Sequence, residues 1–151
     1  MKDATLCYVF QDEQVLLQKK AEGLFGGGKW NAPGGKIKFA ESPTRAAIRE
    51  VREETGLEVD NLKPAGLLNF IEEKGKAFLV HIFVADKFSG EPRESLEGKL
   101  KWFPKNQIPY DEMWENDSIW LPKILKNQPF RGNFLFSKGF KKMLKHEVED
   151  L

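Results

Sequence analysis

Apolar runs and their polar interruptions divide this chain into short extended segments around one strongly patterned helix. Ala4 to Phe10 is apolar and β-prone, Gln11 to Gln14 interrupts it, and Val15-Leu16-Leu17-Gln18-Lys19-Lys20 resumes it. Two strands joined by a short turn follow. Gly23, Gly26, Gly27 and Gly28 then form a flexible loop ahead of Lys29 to Gly35. Glycines at that density permit close backbone approach to a ligand. Leu57 to Val59 and Ala65 to Ile71 read as strand pieces separated by Asn61 and Pro64, and Ala77 to Ala85 as a buried strand. Ser89 to Pro92 is a loop, Leu100 to Phe103 a short strand, and Asp117 to Leu125 a second helix despite Pro122. Phe130 to Phe136 is a further strand, and Lys138 to Val148 a short terminal helix or a frayed tail. Strands before, between and after helices, without regular βαβ alternation, predict an α/β (α+β) fold: a mixed sheet with helices on both faces.

The best-marked element lies between Gly35 and Leu57, GKIKFAESPTRAAIREVREETGL. Ser42 suits the N-cap, Pro43 the first helical position and Gly56 a left-handed stop. Ala47, Ile48 and Val51 supply an apolar side. Glu50 and Glu53 are three residues apart and Glu50 and Glu54 four, so all three carboxylates share one face. Like charges stacked in this way repel, and a hard divalent cation is the usual compensation. Arg49 and Glu53 also form an ordinary i,i+4 pair.

Composition narrows the alternatives. At 151 residues the chain is most simply one domain, residues 1–151. Lys plus Arg is 24 against 23 for Asp plus Glu, so no net field points to a nucleic-acid polymer or a membrane surface. A single nucleotide stays open as a partner. The one cysteine, Cys7, lies in an apolar run and is read as a packed thiol, which suits a reducing cytoplasm. There is no apolar run near 18 residues and no charged-then-apolar leader. The expectation is a cytoplasmic monomer. His81 and His146 lack partners at metal or triad spacing and are read as structural, and no nucleophile elbow or Gly-x-x-x-x-Gly-Lys loop occurs.

The carboxylate cluster remains as the chemical signal. Mg²⁺ prefers oxygen ligands and bridging to phosphates, with Mn²⁺ an acceptable substitute. Glu50, Glu53 and Glu54 are the ligand candidates, Gly34 offers a backbone carbonyl, and Glu97 in Glu94-Ser95-Leu96-Glu97 adds a further ligand or base. Arg49 braces the cluster and Glu41 orients the loop-to-helix junction. Glu53, Glu54 and Glu97 stand as equal candidates for the general base.

Gly35, Glu41, Arg49, Glu50, Val51, Glu53, Glu54, Gly56 and Leu57 fill every fixed position of the Nudix hydrolase signature, and the segment is identified as a member of that family. Nearly the whole chain resembles the MutT-like Nudix enzymes that act on oxidised purine nucleoside triphosphates. The supporting stretches are Val15-Leu16-Leu17, Lys29-Trp30-Asn31, Gly34-Gly35-Lys36, Glu94-Ser95 with Glu97, Gln107-Ile108-Pro109, Met113-Trp114, Asp117-Ser118 with Trp120, and Phe130, Gly132 and Phe134. The resemblance implies an α/β/α sandwich and Mg²⁺-dependent cleavage of 8-oxo-dGTP to 8-oxo-dGMP and pyrophosphate, which clears mutagenic nucleotides.

Carried over by position, Thr5, Lys20, Asn31, Phe70, Trp114, Asn116 and Asp117 would line the base and sugar pocket, with Gly34, Gly35 and Lys36 beside them. Gly34, Glu50, Glu53, Glu54 and Glu97 would hold metal. Trp114 offers a plane for purine stacking, while Trp120 stands between pocket and core. Where the family has two adjacent aspartates, this chain has Asn116-Asp117. Asn116 cannot ionise, so a narrower enzyme is expected, one that favours oxidised guanine over oxidised adenine. The loop Leu24 to Gly28 is a second departure, at the pocket rim. The rival readings are a Nudix pyrophosphatase for another diphosphate, such as an ordinary nucleoside triphosphate, ADP-ribose or a dinucleoside polyphosphate, and a non-catalytic nucleotide-binding module.

Overall fold

A computed structural model describes residues 3–151 of the chain. In chain order the elements are β1 (Ala4–Gln11), β2 (Gln14–Lys20), β3 (Trp30–Asn31), β4 (Gly34–Lys36), α1 (Pro43–Thr55), β5 (Glu58–Asp60), β6 (Lys63–Glu72) and β7 (Ala77–Ala85). They continue with β8 (Lys87–Ser89), β9 (Gly98–Pro104), α2 (Asp117–Leu125), β10 (Phe130–Phe136) and β11 (Met143–Asp150). The main sheet runs β11-β10-β6-β7-β1-β2-β3, with β4 also on β1 and β9 also on β2. β1–β7 and β6–β10 are parallel and the other pairs antiparallel, so the sheet is mixed as expected. β5 and β8 form a separate two-stranded ribbon.

Side-chain alternation gives the sheet two apolar faces, each covered by one helix. Tyr8, Val15, Leu17, Leu68, Ile82, Phe130 and Phe134 pack with Trp120, Leu121 and Ile124 of α2. Cys7, Val9, Leu16, Phe83 and Ala85 pack with Ala47 and Val51 of α1. The layers are therefore helix, sheet, helix. Burial pushes the Cys7 thiol up to about 12, so it is a packed group and not a reactive one.

The caps of α1 are those its sequence predicts. Ser42 Oγ accepts from Arg45 N at 3.1 Å, Pro43 occupies the first turn, and Gly56 ends the helix with φ 79° while donating to Arg52 O. Asp117–Leu125 and Phe130–Phe136 also match their expected bounds.

β1 forks. Its second half pairs with β2 (Val9 with Leu16) and its first half with β4 (Thr5 with Gly35), while β2 continues alongside β3 (Gln18 with Asn31). The segment Trp30 to Lys36 therefore lines a split between β1 and β2. Its glycines fit that close passage, because a Cβ on Gly34 would collide with the Thr5 carbonyl, and one on Gly35 would lie 2.7 Å from Glu50 Cδ.

The carboxy-terminal segment corrects an expectation. Lys138 to Val148 is not a helix or a frayed tail. After a 3₁₀ turn at Lys138–Phe140, Met143–Asp150 forms an antiparallel edge strand on β10. Its polar residues give no apolar period, and cross-strand pairs hold it instead: Arg131 Nη2 with Glu149 Oε1 at 2.7 Å and Phe134 stacked on His146 at 5.9 Å. β3, β4 and β8 are further strands that the apolar pattern did not mark, each only two or three residues long.

The parallel β6–β10 contact depends on Gly66, where a Cβ would collide with the Phe130 ring. Gly66→Ala is expected to lose about 1–3 kcal/mol through overpacking. Urea denaturation would register this as a lower midpoint at unchanged m-value, and an unaltered midpoint would contradict the packing described.

Candidate active site

Arg49 sits at the centre of the acidic face of α1. Its Nε donates to Glu41 Oε2 at 2.7 Å and its Nη2 to Glu41 Oε1 at 3.0 Å, a two-pronged grip on the residue ahead of the helix. Nη1 donates to Glu50 Oε1 at 2.8 Å and to Glu53 Oε2 at 3.2 Å, and Nη2 also reaches the Lys36 carbonyl at 3.2 Å. One guanidinium thus ties the helix to the loop before it and to the end of β4. Its hydrogen bonds hold the Glu41 carboxyl down at about 2, and Glu41 in turn keeps Arg49 charged beyond its ordinary range. Glu41 Oε1 also accepts from Lys38 N at 2.9 Å, so it orients the junction into α1.

Glu54 lies on the sheet side of this cluster and is 2% exposed. Burial, then a hydrogen bond with Glu50 and the charges of Glu50 and Glu97, drives its carboxyl well above the usual range, with Lys20 opposing. Its Oε1 is buried without a partner. Lys20 Nζ meets Glu97 Oε2 at 3.0 Å, and the register of β2 on β9 places Lys20 opposite Gly98. The structure thus gathers Glu50, Glu53, Glu54, Glu97, Arg49 and Lys20 about one end of α1, with Gly34, Gly35 and Lys36 on the adjoining strand.

Among the described residues, no three His, Cys, Asp or Glu side chains stand close enough together, as placed, to hold a metal ion. Glu53 leans on Arg49 and is half-exposed, which leaves the oxygen set open on one side. That form fits Mg²⁺, which retains water and completes its shell with substrate phosphates. An unpaired buried carboxylate oxygen in an all-oxygen set is the feature a hard cation would satisfy.

The residues assigned to the base pocket are distributed around the fork. Thr5 shares its strand parity with Cys7 and Val9, on the α1 side; it is buried with Oγ1 unpaired. Asn31 closes a local turn, its Oδ1 accepting from Ala32 N at 2.8 Å. Phe70 lies on the α2 side, packed on Phe78, Phe134 and Phe136 at 5.4–5.6 Å.

Trp114, Asn116 and Asp117 stand together where α2 begins. Burial lifts the Asp117 carboxyl to about 7, partly offset by the backbone at Trp114, and its Oδ2 has no partner. The Tyr8 phenol is raised by burial first and by Asp117 second, which sets Asp117 against β1. Trp114 is half-buried. Phe25 stacks on it at 5.3 Å and Lys29 Nζ lies 5.3 Å from its centroid, so the glycine loop reaches over this platform. Phe25 was missed in the sequence because nothing in a glycine loop announces its fold-back. Trp120, left undecided there, is core at 1% exposed, yet its indole Nε1 donates to Asn116 Oδ1 at 2.9 Å. The i,i+4 spacing of Asn116 and Trp120 was the available signal.

With the geometry in view, the comparisons with known proteins are specific. Residues 1–124 match the NUDIX domain family. The chain is 45% identical over 152 aligned positions, 97% of its length and 96% of the other, to an oxidized purine nucleoside triphosphate hydrolase of Danio rerio. It is 44% identical, over 87% of its length and 85% of the other, to the protein of that name from Mus musculus. A crystal structure of a MutT protein from Bacillus halodurans superposes with TM-score 0.86 at 30% identity, covering 99% of this chain and 98% of that one. The chain belongs to the Nudix family and is a Nudix hydrolase of MutT-like fold. Enzymes of this family generally use a divalent metal. No helix among the described residues is long and apolar enough to cross a membrane.

The Asp117 environment predicts a pH dependence. A carboxyl whose folded pKa exceeds its unfolded value binds its proton more tightly in the fold. Its contribution is therefore fully present at low pH and is lost as pH rises from about 4 through about 7. Wild-type stability should fall across that window relative to Asp117→Asn, by up to about 1.4 kcal/mol per pH unit. Denaturation curves at pH 5, 6, 7 and 8 check this, and parallel profiles for the two proteins would refute it.

Proposed function

We propose that the protein hydrolyses oxidised purine nucleoside triphosphates, 8-oxo-dGTP foremost, to the monophosphate and pyrophosphate. The observation that carries the reading is the open all-oxygen cluster on α1, set at a fork whose other side presents Trp114, Asn116 and Asp117. The substrate class is drawn from the two relatives named for it. The protein would act as a cytoplasmic monomer on free nucleotide, clearing mutagenic precursors.

In this account Glu50, Glu53, Glu54 and Glu97, with the Gly34 carbonyl, would hold Mg²⁺ or Mn²⁺, which when bound would supply neutralisation of phosphate charge and a more acidic attacking water. Arg49 fixes Glu50 and Glu53 on their side of the helix without itself touching substrate. Gly34 and Gly35 let β4 pack against the Thr5 carbonyl and the Glu50 carboxyl, which sets the Gly34 backbone beside the carboxylates. Water adds to one of the two phosphorus atoms that flank the α–β bridging oxygen, the bond from that phosphorus to the bridging oxygen breaks, and monophosphate and pyrophosphate separate. One carboxylate among Glu53, Glu54 and Glu97 receives the water's proton. At the other end Trp114 offers a stacking face and Asn31, Asn116 and Asp117 its polar edge, while Thr5, Lys20, Lys36 and Phe70 surround sugar and phosphate.

A substrate panel with Mg²⁺, comprising 8-oxo-dGTP, 2-hydroxy-dATP, dGTP, ADP-ribose and a dinucleoside polyphosphate, tests the reading. Monophosphate plus pyrophosphate from 8-oxo-dGTP is the expected product pattern, and orthophosphate would exclude the cleavage position. Glu53→Gln and Glu54→Gln should each lower kcat by about two orders of magnitude or more. Full rates in both variants would remove α1 from the chemistry.

A further inference from the structure

Asn116 is the first residue of the α2 turn, and its side chain makes no capping bond. It is 8% exposed and gives its Oδ1 to the Trp120 indole at 2.9 Å. An indole N–H can only donate, so its partner must be the amide oxygen and not the nitrogen. The Asn116 amide is therefore fixed in one orientation, with its Nδ2–H₂ end turned away from Trp120. Trp120 cannot easily shift to release it. The indole is buried between Tyr8, edge-on at 6.2 Å, and Phe130, stacked at 5.8 Å. Beside the amide, the Asp117 carboxyl keeps one oxygen buried and unpaired. The half-buried Trp114 supplies an aromatic plane two residues before Asn116.

We propose that Trp120 is a positioning residue that locks Asn116 as a hydrogen-bond donor, so that the pocket accepts 6-oxo purines and rejects 6-amino purines. The inference rests on the proposed binding of the base at Trp114, Asn116 and Asp117. An oxidised guanine places O6 against Asn116 Nδ2–H₂ and its N1–H and 2-amino group against the Asp117 carboxylate, so each acceptor meets a donor. An oxidised adenine carrying a 2-oxygen sets its 6-amino group against Nδ2–H₂, donor to donor, and its 2-oxygen against the carboxylate. An ionisable residue at position 116 would adapt by taking up or releasing a proton. A free amide would adapt by rotating half a turn. The Trp120 bond blocks the second route, and asparagine removes the first.

The test is the ratio of kcat/KM for 8-oxo-dGTP over 2-hydroxy-dATP in wild type and Trp120→Phe. Phenylalanine preserves the stack on Phe130 while deleting the N–H donor. Wild type should prefer 8-oxo-dGTP by at least about tenfold, the cost of one mismatched buried polar contact. Trp120→Phe should lower that ratio at least about fivefold, with the change in KM, since the carboxylates on α1 are untouched. Loss of both activities in proportion would reduce Trp120 to a packing residue and overturn the proposal. If Trp120→Phe does not fold, hydrogen exchange of the Trp120 indole N–H in wild type decides: slow exchange supports the lock and free exchange overturns it. Equal use of both nucleotides by wild type overturns the lock alone and leaves the hydrolase reading standing. Cleavage of neither removes the underlying substrate reading and the inference with it.

Discussion

Glu41, Glu50, Glu53 and Glu54 would repel one another along the start and face of a short helix, and Glu54 is buried besides. Arg49 makes that arrangement possible. Its guanidinium donates to Glu41, Glu50, Glu53 and the Lys36 carbonyl, so four negative or partly negative groups converge on one cation whose charge cannot be titrated away. A lysine would offer a point charge without the fork geometry needed to hold Glu41 by two bonds. The compensation is incomplete, because Glu54 lies beyond the reach of Arg49 and meets only Glu50 and more distant charges. The free enzyme therefore keeps an unsatisfied acidic site where a cation and phosphates would arrive. On the proposed reading, that incompleteness is what admits the cation.

The second constraint is the fork between β1 and β2. A continuous sheet would place the acidic helix and the α2 junction on opposite sides of a closed wall. β1 pairs with β2 in one half and with β4 in the other, so Trp30 to Lys36 lies in the split, and the glycines at 34 and 35 admit its close contacts with Thr5 and Glu50. Glu50 leans against the Gly35 backbone on one side, while Asp117 stands near Tyr8 on the other. On the proposed reading, chemistry and base choice are held by separate elements. Residues such as Asn116 can change without disturbing the carboxylates.

Legibility in the sequence followed the range of the forces involved. The caps of α1, its acidic face and the Arg49 pairs are local along the helix, and Ser42, Pro43, Gly56 and the spacing of the glutamates sufficed to place them. Asp117–Leu125 and Phe130–Phe136 were equally plain from apolar periodicity. β11 was not, because Met143 to Asp150 is stabilised by backbone pairing and cross-strand partners on β10, which carry no internal period. β3 and β4 were hidden for the same reason, being two or three residues long and defined only by the strands they join. At the candidate site, the carboxylates were found by spacing. The stack of Phe25 on Trp114 and the bond from Trp120 to Asn116 needed the fold, although the latter obeys a helical interval.

If α1 carries an uncompensated acidic site, a divalent cation should stabilise the free protein, and the stabilisation should depend on Glu54. The direct measurement is the thermal unfolding midpoint of wild type and Glu54→Gln, each with EDTA and with millimolar Mg²⁺, in the absence of nucleotide. The account predicts that Mg²⁺ raises the wild-type midpoint by mass action and raises that of Glu54→Gln markedly less. It also predicts that Glu54→Gln is the more stable of the two in EDTA, since the buried carboxyl no longer sits against Glu50. A wild-type midpoint indifferent to Mg²⁺, or an equal rise in both proteins, would contradict it.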